Sequence, residues 1–228
     1  MEEARKRFDE ELDTVRSEVT RAAAQTGEAV AAATQALLDR DLSLVEGVMQ
    51  HDRMVDESTL AVETQAYRLF GLQQPVAHDL RTLIAILHIV QELGLSADLA
   101  VSIAKAARRL YPLELHPRVR GIIDRMGSQG GVQLRVAMDA FVDEDASRAS
   151  ALADMDDVMD DLQKELFRAI FDICEADESG IQQAVQIALV GRFYERIADH
   201  SVLIGKWVDF MATGALPGPP SRPEETES

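Results

Sequence analysis

Apolar residues recur in steps of three and four along almost the whole chain. Phe8, Leu12, Val15, Val19, Ala22, Thr26, Ala29, Ala33 and Ala36 form one series, a heptad-type seam that commits one face of a long helix to burial. From about Leu42 to Phe70, Val48, Val55, Val62 and Leu69 stand seven apart. Gly71 reads as the glycine that ends this second helix. Pro75 suits the first turn of a third helix. That helix runs to about Leu110, about 54 Å at 1.5 Å per residue. Pro112 and Pro117 break the pattern. A fourth helix spans roughly Pro117 to Phe141. Gly130-Gly131 is its weak spot, each glycine costing about 1 kcal/mol relative to alanine, and a kink is expected there. Asp143-Glu144-Asp145 supplies a cap and favourable charge for a fifth helix reaching about Cys174. Asp177 or Ser179 caps a sixth that ends near Gly214. The tail is rich in proline, glycine and glutamate, has no seam to bury, and is expected to be disordered.

The fold class this predicts is all-α, six long helices arranged as two tandem pseudo-symmetric three-helix bundles. The first repeat is placed at residues 1–111, the second at 117–214 and the tail at 215–228. The halves resemble each other. At an offset of 104, Asp41, Ser43, Asp52 and Asp56 fall on Asp145, Ser147, Asp156 and Asp160. At an offset of 101, Ile86, Asp98, Val101, Ile103 and Lys105 fall on Ile187, Asp199, Val202, Ile204 and Lys206. Duplication of a three-helix unit is the economical reading.

Composition agrees with helix and narrows the partners. Hydrophobic residues make up 46% and aromatics 5% of the 228 residues. The formal net charge is −17, and the short basic spots at Arg108–Arg109 and Arg118–Arg120 form no stripe. A nucleic acid needs clustered cations to displace its counterions, so it is not expected as a partner, and neither is a direct grip on anionic lipid. Cys174 is the single cysteine, which excludes an intrachain disulfide and a cysteine metal cluster. Its apolar context reads as small core residue rather than nucleophile. The N-terminus lacks the charged-then-apolar pattern of an export signal. The longest apolar run, Leu83 to Val90, is too short to span a bilayer. No direct membrane insertion and a cytoplasmic location are expected.

Chemistry concentrates in carboxylates four residues apart. Asp52 and Asp56 share one helix face about one turn apart, and Asp156 and Asp160 repeat them. Glu195 and Asp199 make a third pair on the sixth helix. Like charges at this spacing repel by a few tenths of a kcal/mol in an isolated helix, and a bridging cation removes that cost. Two pairs on neighbouring helices offer four carboxylates to a hard or borderline divalent metal. The plain alternative is a solvated acidic surface, with Arg192 and Arg196 bridging Glu195 and Asp199. Two details favour a partner for these acids. Asp52 lies on the edge of the apolar seam, between Val48 and Val55, where a charge needs one. Glu195 and Asp199 share their face with the small Ala188 and Ala198. The five histidines supply no Glu-x-x-His motif of an iron-oxidase bundle. His200, about 100° around the helix from Asp199, reads as structural or solvent-facing rather than as a ligand. Neither a glycine-rich phosphate loop nor a Ser/His/Asp constellation is present, and the chain is not expected to be an enzyme.

Gln74-Pro75-Val76-Ala77-His78-Asp79-Leu80-Arg81 resembles the P-x-A-x-D-L-R opening of the third helix in the PhoU family, the phosphate-signalling regulators of bacteria. Phe193-Tyr194-Glu195-Arg196-Ile197-Ala198-Asp199-His200 resembles that family's E-R-I-G/A-D-H signature in the second repeat. Asp52–Asp56 and Asp156–Asp160 are similar to its acidic pairs. The resemblance covers about residues 5–213. It implies two three-helix bundles, commonly dimeric. It implies metal at Asp52, Asp56, Asp98, Asp156, Asp160, Glu195 and Asp199, a divalent or trivalent ion from among Fe, Zn, Mg, Mn and Ni. It marks Pro75, Asp79, Arg81, Arg192 and Arg196 as partner-binding candidates. It implies a negative regulator of phosphate uptake and of the phosphate-starvation response, joining the ATPase of a phosphate ABC transporter to a phosphate-sensing histidine kinase.

One departure matters. The first-repeat counterpart of Glu195 is Gly94, and Glu92, about 160° around the helix, does not substitute for it. The first-half site is therefore expected to bind metal more weakly than the second. The alternative to an adaptor is a carboxylate-based metal-binding helical protein, a metal store or metal-dependent enzyme. A third reading is a structural helical protein without metal.

Overall fold

The computed structural model describes residues 2–73, 75–173 and 177–218. The readings made for Cys174 and for 219–228 lie outside them. The described residues form six helices and no strand: α1 (Glu2–Asp39), α2 (Ser43–Gln73), α3 (Ala77–Leu110), α4 (Pro117–Asp143), α5 (Ala146–Ile173) and α6 (Glu178–Thr213). Every residue of the first predicted seam, from Phe8 to Ala36, is buried, as are Val48, Val55, Val62 and Leu69.

Local chemistry sets the ends. Asp41 Oδ1 accepts from the backbone N–H of Ser43 at 2.9 Å. Asp145 Oδ1 accepts from Ser147 and Arg148 N–H at 2.9 and 3.0 Å. The repeated Asp and Ser at the two positions are thus helix-start residues of α2 and α5. Asp177 caps α6 by accepting from Gly180 N–H at 2.7 Å. Gly214 closes α6 at φ 82°, a left-handed conformation that glycine takes without a Cβ penalty.

Three expectations shift. Gly71 does not end α2, which continues to Gln73. Its position meets no neighbouring atom within 4 Å, so the glycine costs propensity without forcing a turn. Pro75 precedes α3, whose cap residue is Val76. Helix α4 runs unbroken through Gly130 and Gly131. A Cβ at Gly130 would meet Ile197 at 3.7 Å and Met159 at 3.9 Å, so packing against α5 and α6 holds that stretch.

Helices α1, α2 and α3 pack on one another, as do α4, α5 and α6. The halves meet where α1 packs on α4 and α3 on α6. The core does not divide between the halves. One apolar cluster combines Ala29–Leu37 of α1, Val45 and Val48, Leu99–Leu110, Val119–Met126, Met159–Ile170 and Ile187–Ala198. The other combines Phe8–Ala23, Val62–Leu69, Leu83–Leu93, Leu134–Phe141, Ala149, Leu152 and Ile204–Met211. Each draws on all six helices, so the clusters lie at opposite ends of the helices and successive helices alternate in direction. Helix α3 is long and apolar enough by composition to cross a membrane. Here its apolarity is used against α1, α2 and α6. His88 of α3 stacks on Trp207 of α6 with ring centroids 3.7 Å apart.

Candidate metal centre

The predicted acids gather into two groups near mid-length of the helices, where the two core clusters meet. On the first face, Asp52 and Asp56 of α2 stand near Asp98 of α3. Asp52 is half-buried, and Asp56 and Asp98 are exposed. Burial, then the charges of Asp98 and Asp56, push the Asp52 carboxyl above its ordinary range, against the pull of Lys105 and Arg53. Asp52 is thus held among negative charges with a lysine nearby.

The second face is fuller and more enclosed. Glu195 of α6 is buried, and Asp156, Asp160 and Asp199 are half-buried. Burial, Asp199 and Asp160 raise the Asp156 carboxyl to about 6. Glu195 is raised by burial, Asp199 and Asp160, and steadied by an ion pair with Arg192. Asp199 is raised by burial and by Asp160, against Arg192, His200 and Arg196. One oxygen of Asp156 and one of Glu195 are buried without a hydrogen-bond partner among the described residues. A cation would satisfy both orphaned atoms and cancel the mutual repulsion. The donor set is all oxygen, which suits a hard or borderline cation. The side chains do not yet converge: among the described residues no three His, Cys, Asp or Glu stand in position to hold one ion. The acids fit such an ion by chemistry and orphaned oxygens rather than by their present spacing.

The frames of the two faces differ. A Cβ on Gly191 of α6 would lie 2.5 Å from Leu166 Cδ2, and one on Gly205 would lie 2.7 Å from Leu152 Cδ1 and 3.0 Å from the Ala149 carbonyl oxygen. These glycines let α6 close tightly on α5. At the first face, a Cβ on Gly94 would sit 3.8 Å from Thr59 Oγ1, which is ordinary contact.

The partner-binding candidates fall elsewhere or point inward. Asp79 is buried and takes a two-pronged contact from Arg5, at 2.5 and 3.3 Å. Arg81 Nε donates to the Met211 carbonyl near the end of α6 at 3.3 Å. These two motif residues tie the start of α3 to α1 and α6. Pro75 sits in the connection before α3. Arg192 and Arg196 are exposed and flank the second acidic face.

Two features go beyond the sequence-based expectations. Glu92 of α3 pairs across the half interface with His200 of α6, Oε2 to Nδ1 at 2.5 Å, both nearly buried. That places His200 in a structural contact. Gln133 of α4 is fully buried, and neither amide atom has a hydrogen-bond partner among the described residues. A signal for Gln133 was present: it stands in the seam Met126, Gly130, Gln133, Ala137, where every other position is apolar or small.

A family model described as the PhoU domain matches residues 19–107 and again 123–208. The chain is 34% identical over 211 residues to the phosphate-specific transport system accessory protein PhoU homolog 2 of Mycobacterium tuberculosis, covering 92% of this chain and 98% of that protein. It is 38% identical over 192 residues to homolog 1 of the same organism, covering 84% and 86%. The crystal structure of PhoU from Pseudomonas aeruginosa superposes with a TM-score of 0.85 at 29% identity, covering 91% of this chain and all of that one. The phosphate transport system regulatory protein PhoU from Streptococcus pneumoniae superposes with a TM-score of 0.84 at 26% identity, covering 92% and 99%.

Proposed function

The chain belongs to the PhoU family, and from that premise we propose that it is a non-enzymatic accessory protein of phosphate transport. The observation that carries this reading is near full-length identity to proteins named for that role, 34% over 92% of the chain. We propose further that it represses phosphate uptake and the phosphate-starvation response, as an adaptor between the transporter ATPase and a sensor histidine kinase. Long helices with fixed ends suit an adaptor, because they present side chains on a rigid frame. The exposed Asp56 and Asp98 of the first face, and the exposed Arg192 and Arg196 beside the second, offer charge for partner recognition. A divalent or trivalent cation on the acidic faces would neutralise repulsion and change the surface a partner meets.

Deletion of the gene tests the reading. Starvation genes should then be expressed in phosphate-rich medium, and complementation should restore repression. Normal repression in the deletion strain overturns the regulatory role. Capture of the transporter ATPase or the kinase on the tagged full chain tests the adaptor step, and a homodimer is expected in solution.

A further inference from the structure

We infer that Gln133 supplies a neutral amide oxygen to a cation on the second acidic face, making that site a three-helix site of α4, α5 and α6. The inference rests on the proposed metal role of that face. It adds a ligand from a helix that carries none of the acidic pairs.

Gln133 occupies a position where burial without a partner is expensive. A buried amide without hydrogen bonds costs roughly 1–3 kcal/mol, and seam positions elsewhere in α4 are filled by residues such as Met126, Leu134 and Ala137. Gln133 is 0% exposed. It lies close enough to Asp156 to favour that carboxylate's charge, yet neither Asp156 Oδ1 nor the Gln133 amide has a well-formed hydrogen bond among the described residues. One turn earlier, Gln129 Nε2 donates to the Met155 carbonyl at 2.9 Å, which sets this stretch of α4 beside Asp156, and the two unpartnered oxygens, Asp156 Oδ1 and Gln133 Oε1, lie at the edge of the acidic face. A cation against the amide oxygen and the Asp156 carboxylate would satisfy this group, leaving the amide N–H free to steady the carboxylate.

The first face provides an internal contrast. At the offset of 104, Gln133 corresponds to Ala29, which is fully buried and apolar. The first half lacks both the Glu195 carboxylate, replaced by Gly94, and the Gln133 amide. The two absences concern the same site, as expected if both side chains serve one ion. Amide and carboxylate oxygens together suit a hard or borderline cation such as Mn²⁺.

The test uses the full-length protein and Mn²⁺ alone, then Zn²⁺ alone, followed by isothermal titration and, for Mn²⁺, by spin resonance. Gln133→Met keeps side-chain length and removes the amide. It should weaken the tighter site about tenfold or more while leaving the metal-free melting temperature unchanged or higher. Asp160→Asn is the control for the face itself and should also weaken that site. If Asp160→Asn weakens binding and Gln133→Met does not, Gln133 is a structural amide satisfied by water; the inference falls and the metal face stands. If the native protein binds neither ion, the metal reading falls and the inference with it. Should Gln133→Met not fold, Gln133→Asn replaces it. Its amide is one methylene short of the site, and undiminished binding there overturns the inference equally.

Discussion

The two acidic faces descend from one pattern but sit in different surroundings. On the first, Asp56 and Asp98 are exposed, and Lys105 shares the field of Asp52. On the second, Glu195 is buried, the three aspartates are half-buried, and Asp156 is raised to about 6. The first face can leave its charges to water. The second concentrates charge where water is scarce, an arrangement that is costly alone and favourable around a cation. The contrast shows that acid spacing along a helix does not set how far the acids are buried. The closeness of the opposing helix decides how strongly the same spacing is felt.

The largest test addresses that closeness. Gly205→Val should destabilise the protein by about 3 kcal/mol, because the new side chain meets Leu152 and the fixed carbonyl of Ala149 and overpacking of this kind costs about 1–3 kcal/mol or more. Gly94→Ala on the first face should be neutral or stabilising by up to about 1 kcal/mol, since a Cβ fits there and alanine is the better helix former. Urea unfolding of both variants measures the difference. Equal losses would show that the two faces are closed alike.

Metal affinity is next. Glu195→Gln should weaken the tighter Mn²⁺ site about tenfold or more, and Asp98→Asn should affect only a weaker one. Gly94→Glu restores the missing acid in available space and should bring the first face toward the second. Anomalous scattering from Mn²⁺-soaked crystals locates each site. Higher occupancy at Asp52, Asp56 and Asp98 than at Asp156, Asp160, Glu195 and Asp199 in the native protein would reverse the ranking.

Proton linkage gives a smaller difference. Asp156 is raised from 3.8 to about 6, so the folded protein holds this proton more tightly than the unfolded chain. Its contribution to metal-free stability is present below the unfolded value and is lost as pH rises through that window. Asp156→Asn should flatten stability between pH 3.8 and about 6 and raise it above that range. Asp52→Asn should do the same to a lesser degree. Melts in chelator at the two ends of the window measure both. A larger change for Asp52→Asn would place the more strained acid on the first face.

The helices were legible because burial follows a 3.6-residue period, and every position of the Phe8–Ala36 seam is indeed buried. The helix start at Ala146 was legible because Asp145 bonds its first turn; Asp41, which does the same for α2, entered only as a repeated position. The shared core was not legible. A seam records that a face is buried but not which helix covers it, and Ala36 and Leu166 join one cluster through contacts that no local period encodes. The gathering of Asp52 with Asp98 and of Asp156 with Asp199 was expected from the family resemblance. Glu92–His200 was not, because the repeat relates equivalent positions of the two halves and says nothing of which side chains touch across their interface. Gln133 was visible as a polar residue in a seam, but its neighbour Asp156 depends on how α4 meets α5.

Tyr194 extends the comparison at its smallest scale. Its counterpart at the offset of 101 is Leu93, and both are fully buried. Leu93 holds its helix by packing alone. Tyr194 adds a hydrogen bond of 2.7 Å to Thr34 of α1, across the half interface, and burial pushes its phenol above the ordinary value. Tyr194→Phe should therefore cost about 1 kcal/mol, because Thr34 retains its bond to the Val30 carbonyl at 2.8 Å and no donor is orphaned. The packing of Ile197 and Ala198 stays in place, so Mn²⁺ affinity at the neighbouring Glu195 should not change. A parallel fall in stability and affinity would show instead that the second face depends on this cross-half bond, and that the first face is weaker partly because leucine stands where tyrosine anchors the second.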